Sequence, residues 1–275
     1  MTITASYKKY ILNFKNPSGT SRGILKTKET WFIILQQNDK IGIGETGLFR
    51  GLSCDDVPNY EEKLHWVCEN IHLGLEVLLQ ELIKFPSIQF GLEQAFLSLK
   101  CQTPFELFPT KFTQGKEAIN INGLIWMGDK DFMKTQIKEK LATGFSCIKM
   151  KIGAIDFETE LSLLASIRKE FSANEIVLRV DANGAFLPNE ALQKLEQLSK
   201  FDIHSIEQPI KQGQLEAMAD LCAKTPVPIA LDEELIGVRE KEELLDTIRP
   251  QHIILKPTLI GGILETREWI RLAEQ

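Results

Sequence analysis

Cysteine is scarce in this chain and poorly arranged for any covalent or metal framework. Cys54, Cys68, Cys101, Cys147 and Cys222 are an odd number, widely spaced, with no C-x-x-C pair. Reduced thiols buried as small apolar groups are therefore expected. The four histidines show no metal-ligand spacing, which argues against zinc. No run reaches the roughly 18 apolar residues that a membrane span requires, so no membrane partner is expected. The opening stretch MTITASYKKYILNF lacks the apolar core and small-residue cleavage site of a secretory leader, and a cytoplasmic location follows as the expectation. A basic surplus is also missing: Lys and Arg total 32 against 38 Asp and Glu, a net charge of -6, which disfavours a nucleic-acid partner. What is present is ordinary for a globular protein, with 43% apolar and 25% charged residues, and 275 residues allow one or two domains around a large core.

The first 115 or so residues follow a different grammar from the rest. Residues 6–15, 26–36 and 41–47 alternate like strands and are separated by the turn-forming NPSG and QNDK. Helical periodicity follows at Leu64, Val67, Cys68 and Ile71, then at Leu75, Leu78, Leu79 and Leu82. A third helix is expected after Pro86, with Ser87 as its N-cap and an apolar face of Phe90, Leu92, Phe96, Leu97 and Leu99. Strands followed by helices make residues 1–115 an α+β domain.

Residues 116–275 alternate strictly between strand and helix. AININGLIW, CIKMKI, EIVLRVD, IHSIE, PIALDE and HIILKP are the expected strands, each followed by an amphipathic segment. Gly144 reads as a C-cap and Pro188 as a first-turn residue. Six βα units without hairpins imply a parallel sheet with right-handed crossovers. An open doubly wound sheet is the rival to a barrel. It is disfavoured because no Gly-rich fingerprint follows the first strand, and because charged residues end five successive strands instead of one switch point. The fold class expected is α/β, an α+β domain joined to a TIM-like (β/α) barrel. The 158 residues from Ala118 fall short of the ~250 of an eight-fold barrel, so a truncation after about six units is expected.

Asp181, Glu207 and Asp232 stand 26 and then 25 residues apart, one βα period each. That phase puts one carboxylate at the carboxyl end of each of three successive strands, the end where barrels carry their chemistry. Three oxygen donors suit Mg²⁺ or Mn²⁺ and leave positions for a substrate carboxylate. Lys149 and Lys151 alternate with Met150, so both ammonium groups point to one face and Ile148, Met150 and Ile152 to the other. Mutual repulsion would lower a lysine pKa and make an amine base available. Lys256, in an apolar strand, is expected to be buried and to face the same cavity from the opposite side. A Schiff base at Lys256 is the alternative, made less attractive by a neighbouring metal.

These residues, K-x-K, D, E, D and K on successive strands, resemble the enolase superfamily, in particular its muconate-cycloisomerase-like subgroup. SRGILKTKETWFIIL, GIGETGLFRGLS, PSIQFGLEQAFLSL and KPTLIGG further resemble the o-succinylbenzoate synthases within it. The resemblance implies that residues 1–115 are a capping domain over a catalytic barrel at 116–275. It implies Mg²⁺ ligands at Asp181, Glu207 and Asp232, with Asn183 and Glu233 bracing them. Lys151 would be the general base, Lys149 its electrostatic helper and Lys256 the group on the other face. The implied substrate is a small carboxylate, and the implied reaction a Mg²⁺-dependent syn dehydration of menaquinone biosynthesis. The loop around Pro17–Arg22 and the turn near Phe49–Ser53 would close over the substrate's succinyl arm. Other readings from the same residues are an N-acylamino acid racemase, a dipeptide epimerase, a muconate cycloisomerase-type enzyme, or a non-catalytic barrel fragment. Lacking strands seven and eight, the chain is expected to be unstable or inactive by itself.

Overall fold

The computed structural model describes residues 2–20, 23–103 and 105–275, apart from the side chains of residues 16 and 18–20. Ser21 and Arg22, part of the loop expected to cover the substrate, lie outside the described residues.

The first region is a three-stranded antiparallel sheet of β1 (Thr4–Thr20), β2 (Gly23–Gln37) and β3 (Lys40–Thr46), paired in that order. Period-two alternation on β2 buries Trp31, Ile33 and Leu35 in one core with residues of α1 (Tyr60–Glu69), α2 (Leu75–Glu81) and α3 (Pro86–Lys100). β3 can lie close on α3 because both surfaces carry glycine. A Cβ on Gly44 would stand 1.8 Å from the Gly91 carbonyl oxygen, and one on Gly42 2.2 Å from that of Ala95. Two expectations fail here. NPSG is not a turn: β1 continues through it, and the pairing with β2 shifts register between Asn13 and Ser18, where the missing N–H of Pro17 breaks no ladder. Ser87 is not an N-cap either. Pro86 occupies the first helical turn, and the buried Ser87 hydroxyl donates to Asp55 Oδ2 at 2.6 Å.

The second region is a six-stranded parallel sheet with strands in chain order: β4 (Gly123–Ile125), β5 (Cys147–Lys151), β6 (Val177–Asp181), β7 (Ile203–Glu207), β8 (Ile229–Leu231) and β9 (His252–Ile253). Among the described residues β4 and β9 pair only on their inner sides. Three strands are markedly shorter than expected: β8 keeps only Ile229–Leu231 of PIALDE. AININGLIW contributes only Gly123–Ile125, and β9 stops three residues before Lys256. The helices α4 (Lys130–Ala142), α5 (Phe157–Glu170), α6 (Pro188–Leu198), α7 (Leu215–Lys224), α8 (Lys241–Ile248) and α10 (Gly262–Ala273, after the short α9, Pro257–Ile260) complete the units. Ile148, Met150, Ile152, Leu178, Val180 and Ile206 are buried in one core with Met133, Ile137, Leu164 and Trp269 from these helices. The sheet curls: His204 on β7 and His252 on β9 stack with ring centroids 5.2 Å apart, although β8 runs between their strands. All five cysteines are free, but only Cys222 is buried; Cys54 is exposed and the others are half-buried. No helix among the described residues is long and apolar enough to cross a membrane.

Candidate active site

Strand register builds the site. Lys151 on β5, Asp181 on β6 and Glu207 on β7 are direct neighbours across the sheet, so their side chains leave one face at one height. Asp232 follows β8 by a single residue. One oxygen from each of Asp181, Glu207 and Asp232 can be chosen so that all three lie within 4.8 Å of one another, and all three residues are buried. The expected convergence of the acids is therefore observed.

The lysines meet these acids. Lys149 Nζ donates to Glu207 Oε2 at 2.7 Å and lies 3.5 Å from Asp181 Oδ2. Lys151 Nζ donates to Asp181 Oδ2 at 2.5 Å and to Asn183 Oδ1 at 2.8 Å. Lys256 Nζ donates to Asp232 Oδ2 from the far side. Lys256 departs from the expectation of burial: its side chain is 40% exposed, because it stands past the end of β9 and opens onto the cavity. Asn183 and Glu233 are joined, Asn183 Nδ2 donating to Glu233 Oε1 at 3.0 Å. Asn183 takes φ +44°, an uncommon left-handed backbone that aims its amide back at Lys151.

The charges set the acidities. Burial, and then the negative charge of Asp181, push Glu207 up to about 7. Burial likewise raises Asp232 against the pull of Lys256. Asp181 is also resisted by burial, but Lys151 and Lys149 hold it below the usual carboxylate range. The expected lowering of a lysine pKa is not found at Lys149. Burial opposes its charge, yet Glu207 at 2.7 Å and Asp181 at 3.5 Å outweigh that and raise it.

Several positioning residues left no mark that sequence reasoning used. The fully buried Gln208, at φ +38°, accepts from the Asp232 N–H at 3.1 Å and the Glu234 N–H at 3.2 Å, which fixes the turn carrying Asp232. Its place directly after a strand-ending acid was the available signal. Three hydrogen bonds tie the segment after Lys256 to the first region. Thr258 Oγ1 donates to the Gly47 carbonyl at 2.9 Å, and the Glu93 carboxylate on α3 accepts from the Ile263 and Leu264 N–H groups. The last glycine of KPTLIGG makes room for that carboxylate, since a Cβ on Gly262 would meet Glu93 Oε2 at 2.2 Å. Glu160 on α5 holds the loop after Lys151, accepting from the Gly153 N–H at 2.7 Å.

Burial pushes Glu160 up to about 7 from an ordinary 4.5, which has a consequence for stability. Between those values the folded chain binds a proton that the unfolded chain has lost, so this group's contribution falls as pH rises through that window. Relative to Glu160→Gln, the unaltered protein should lose on the order of 2 kcal/mol between about pH 5 and about pH 8. Urea unfolding of both proteins at the two pH values checks this; parallel pH dependences would rule it out.

Over the charged cluster lies a cavity of about 770 Å³. Lys149, Lys151, Asn183, Glu233 and Lys256 line it from the parallel sheet, and Leu12, Phe14, Leu25, Lys28, Phe49 and Leu52 from the first region. The expected Phe49–Ser53 turn thus faces the site through Phe49, Arg50 and Leu52.

Residues 133–275 match the family model described as Enolase C-terminal domain-like. The o-succinylbenzoate synthase of Desulfotalea psychrophila (strain LSv54 / DSM 12343) is 43% identical, over 98% of this chain and 82% of its own length. The crystal structure of MenC from Desulfotalea psychrophila LSv54 superposes with a TM-score of 0.86 at 40% identity, covering 99% of this chain and 83% of that one. The L-Ala-D/L-Glu epimerase of Francisella tularensis subsp. novicida (strain U112) is 34% identical over 50% of this chain and 39% of its own length.

Proposed function

Because the chain belongs to the Enolase C-terminal domain-like family, we propose that it is an o-succinylbenzoate synthase, a hydro-lyase that removes water from a succinyl-bearing hydroxycyclohexadiene carboxylate. The observation that carries the reading is the placement of Lys151, whose amine stands on Asp181 and Asn183 at the floor of the cavity. Similarity to the synthase runs through both regions of the chain, whereas the epimerase match spans half of it.

Asp181, Glu207 and Asp232 would hold Mg²⁺. The donor set fits: three buried carboxylates offer oxygen alone, and Glu207, pushed up to about 7, lacks the positive charge that a divalent ion brings. Mn²⁺ suits the same donors. When bound, Mg²⁺ supplies an electrophilic anchor for the substrate carboxylate. Lys151, as the free amine, takes the ring proton next to that carboxylate. The electron pair of the broken C–H bond becomes a ring double bond, and the hydroxyl leaves from the same face. Lys151 returns the proton to it, so that water departs and the ring becomes aromatic. Asn183 Oδ1 fixes the amine during both transfers. Lys256 faces the ring from the other side, where its charge stabilises electron density gained by the π face.

Conversion of the cyclohexadiene followed by ultraviolet absorbance tests this. Turnover should vanish with EDTA and return with added Mg²⁺. A second reading, racemisation of an N-acylamino acid or dipeptide, is favoured by one observation: Lys151 and Lys256 reach the acid cluster from opposite sides, as two opposed bases would. Exchange of the α-hydrogen of such a substrate in heavy water, without dehydration of the cyclohexadiene, would replace the first reading by the second.

A further inference from the structure

The roof of the cavity carries a cation that the chemistry above does not use. From the first region, Lys15, Lys28 and Arg50 reach the cavity lining. Arg50 is already neutralised: its Nε and Nη2 donate to Glu29 Oε2 at 2.9 and 2.7 Å, and its Nη1 to Asp56 Oδ1 at 2.6 Å. Lys15 is exposed to solvent. Lys28 is different, with a side chain only 17% exposed. Among the described residues its ammonium makes one long contact, 3.4 Å to Glu45 Oε1, an oxygen that Thr30 Oγ1 already engages at 2.8 Å. An ammonium has three N–H donors, so donors remain for the cavity.

The surroundings of Lys28 are those of a subsite. Its Nζ sits 4.9 Å from the centroid of the Phe49 ring, and Leu12, Leu25 and Leu52 line the same wall. A Cβ placed on Gly47 would lie 3.4 Å from Lys28 Nζ and 3.3 Å from Thr258 Oγ1, so both polar tips converge on one glycine, and Thr258 stands two residues along the chain from Lys256. The roof cation therefore overlooks the Lys256 side of the floor. In an apolar wall a charge-assisted hydrogen bond is stronger than in water.

We propose that Lys28 is a specificity-determining residue that binds a second carboxylate, at the end of the substrate arm remote from the acid cluster. The proposal rests on the reading of the substrate as a diacid. A monoacid or an amide of the same shape would leave the Lys28 ammonium facing an uncharged group, and the cavity would discriminate against it.

The test uses the full chain with Mg²⁺, and two ligands: o-succinylbenzoate, and its analogue with the arm carboxylate replaced by an amide. Binding is measured by calorimetry, and kcat and KM for the cyclohexadiene are measured separately. Lys28→Met keeps the stem of the side chain and removes the charge. It should weaken the diacid about 10- to 100-fold, leave the amide unchanged, and raise KM far more than it lowers kcat. Lys28→Arg should restore most of the diacid affinity, and Lys28→Gln should behave like Lys28→Met. Equal losses for diacid and amide, no loss for either, or a wild type that binds no diacid would each overturn the proposal. A wild type that binds the diacid through Lys28 but does not dehydrate the cyclohexadiene would overturn the proposed reaction and leave the subsite standing.

Discussion

Lys151→Ala should lower kcat by about 10³-fold while Mg²⁺ binding persists. The amine is the only group assigned to both proton transfers, and a positioned base typically contributes about 10²- to 10⁴-fold. It donates to Asp181 and Asn183 but lies outside the set of carboxylates, so its loss removes chemistry without removing a ligand. Lys151→Arg sharpens the test. It preserves positive charge beside Asp181, but a guanidinium stays protonated, so no rescue of rate is expected. Steady-state kinetics of the three proteins, with a Mg²⁺ titration of thermal stability for each, distinguish a lost base from a lost fold. A Lys151→Ala protein that turns over at the wild-type rate would remove Lys151 from the mechanism.

Glu207→Gln should separate two duties of the acid cluster. Outer groups around a metal commonly affect its affinity about 10- to 100-fold, and loss of a direct donor should exceed that. The Mg²⁺ concentration for half-maximal activity should therefore rise more than about 100-fold. Stability in EDTA should move the other way or stay level. Above about pH 7 the wild type holds a Glu207 carboxylate that burial and Asp181 both disfavour, and the amide removes that cost while giving up the charged partner of Lys149. Urea unfolding at about pH 8 without metal measures the balance. An unchanged Mg²⁺ requirement would exclude Glu207 from the ion's ligands.

Much of the cluster was legible because each residue obeyed a local rule. Lys149 and Lys151 could be assigned to one face by alternation around Met150, and the acids to one height by a repeat of one strand plus one helix. The structure keeps both patterns because buried parallel strands tolerate little slippage: a shift by one residue would exchange the Ile148–Met150–Ile152 face with the lysines. Lys256 was less legible. Its apolar neighbours suggested a long strand, but the ladder ends at Ile253, and exposure follows from ladder geometry that composition does not report. Ser87 misled for a related reason. Serine after proline satisfies a capping pattern, but the partner that claims its hydroxyl, Asp55, lies 32 residues away. Glu93 and Glu160 were invisible on similar ground, and Gln208 offered only its place after a strand-ending acid. Each acts through backbone N–H groups of a turn or loop outside its own element, contacts that no spacing within one element announces.

The link between Glu93 and the start of α10, together with the bond from Thr258 to Gly47, bears on how a solute could reach the cavity. Both ties join the first region to the segment carrying Lys256, so swinging that whole region aside would unseat Lys256 along with the roof. Admission is then left to the Phe49–Leu52 turn, while the side held by these ties stays shut.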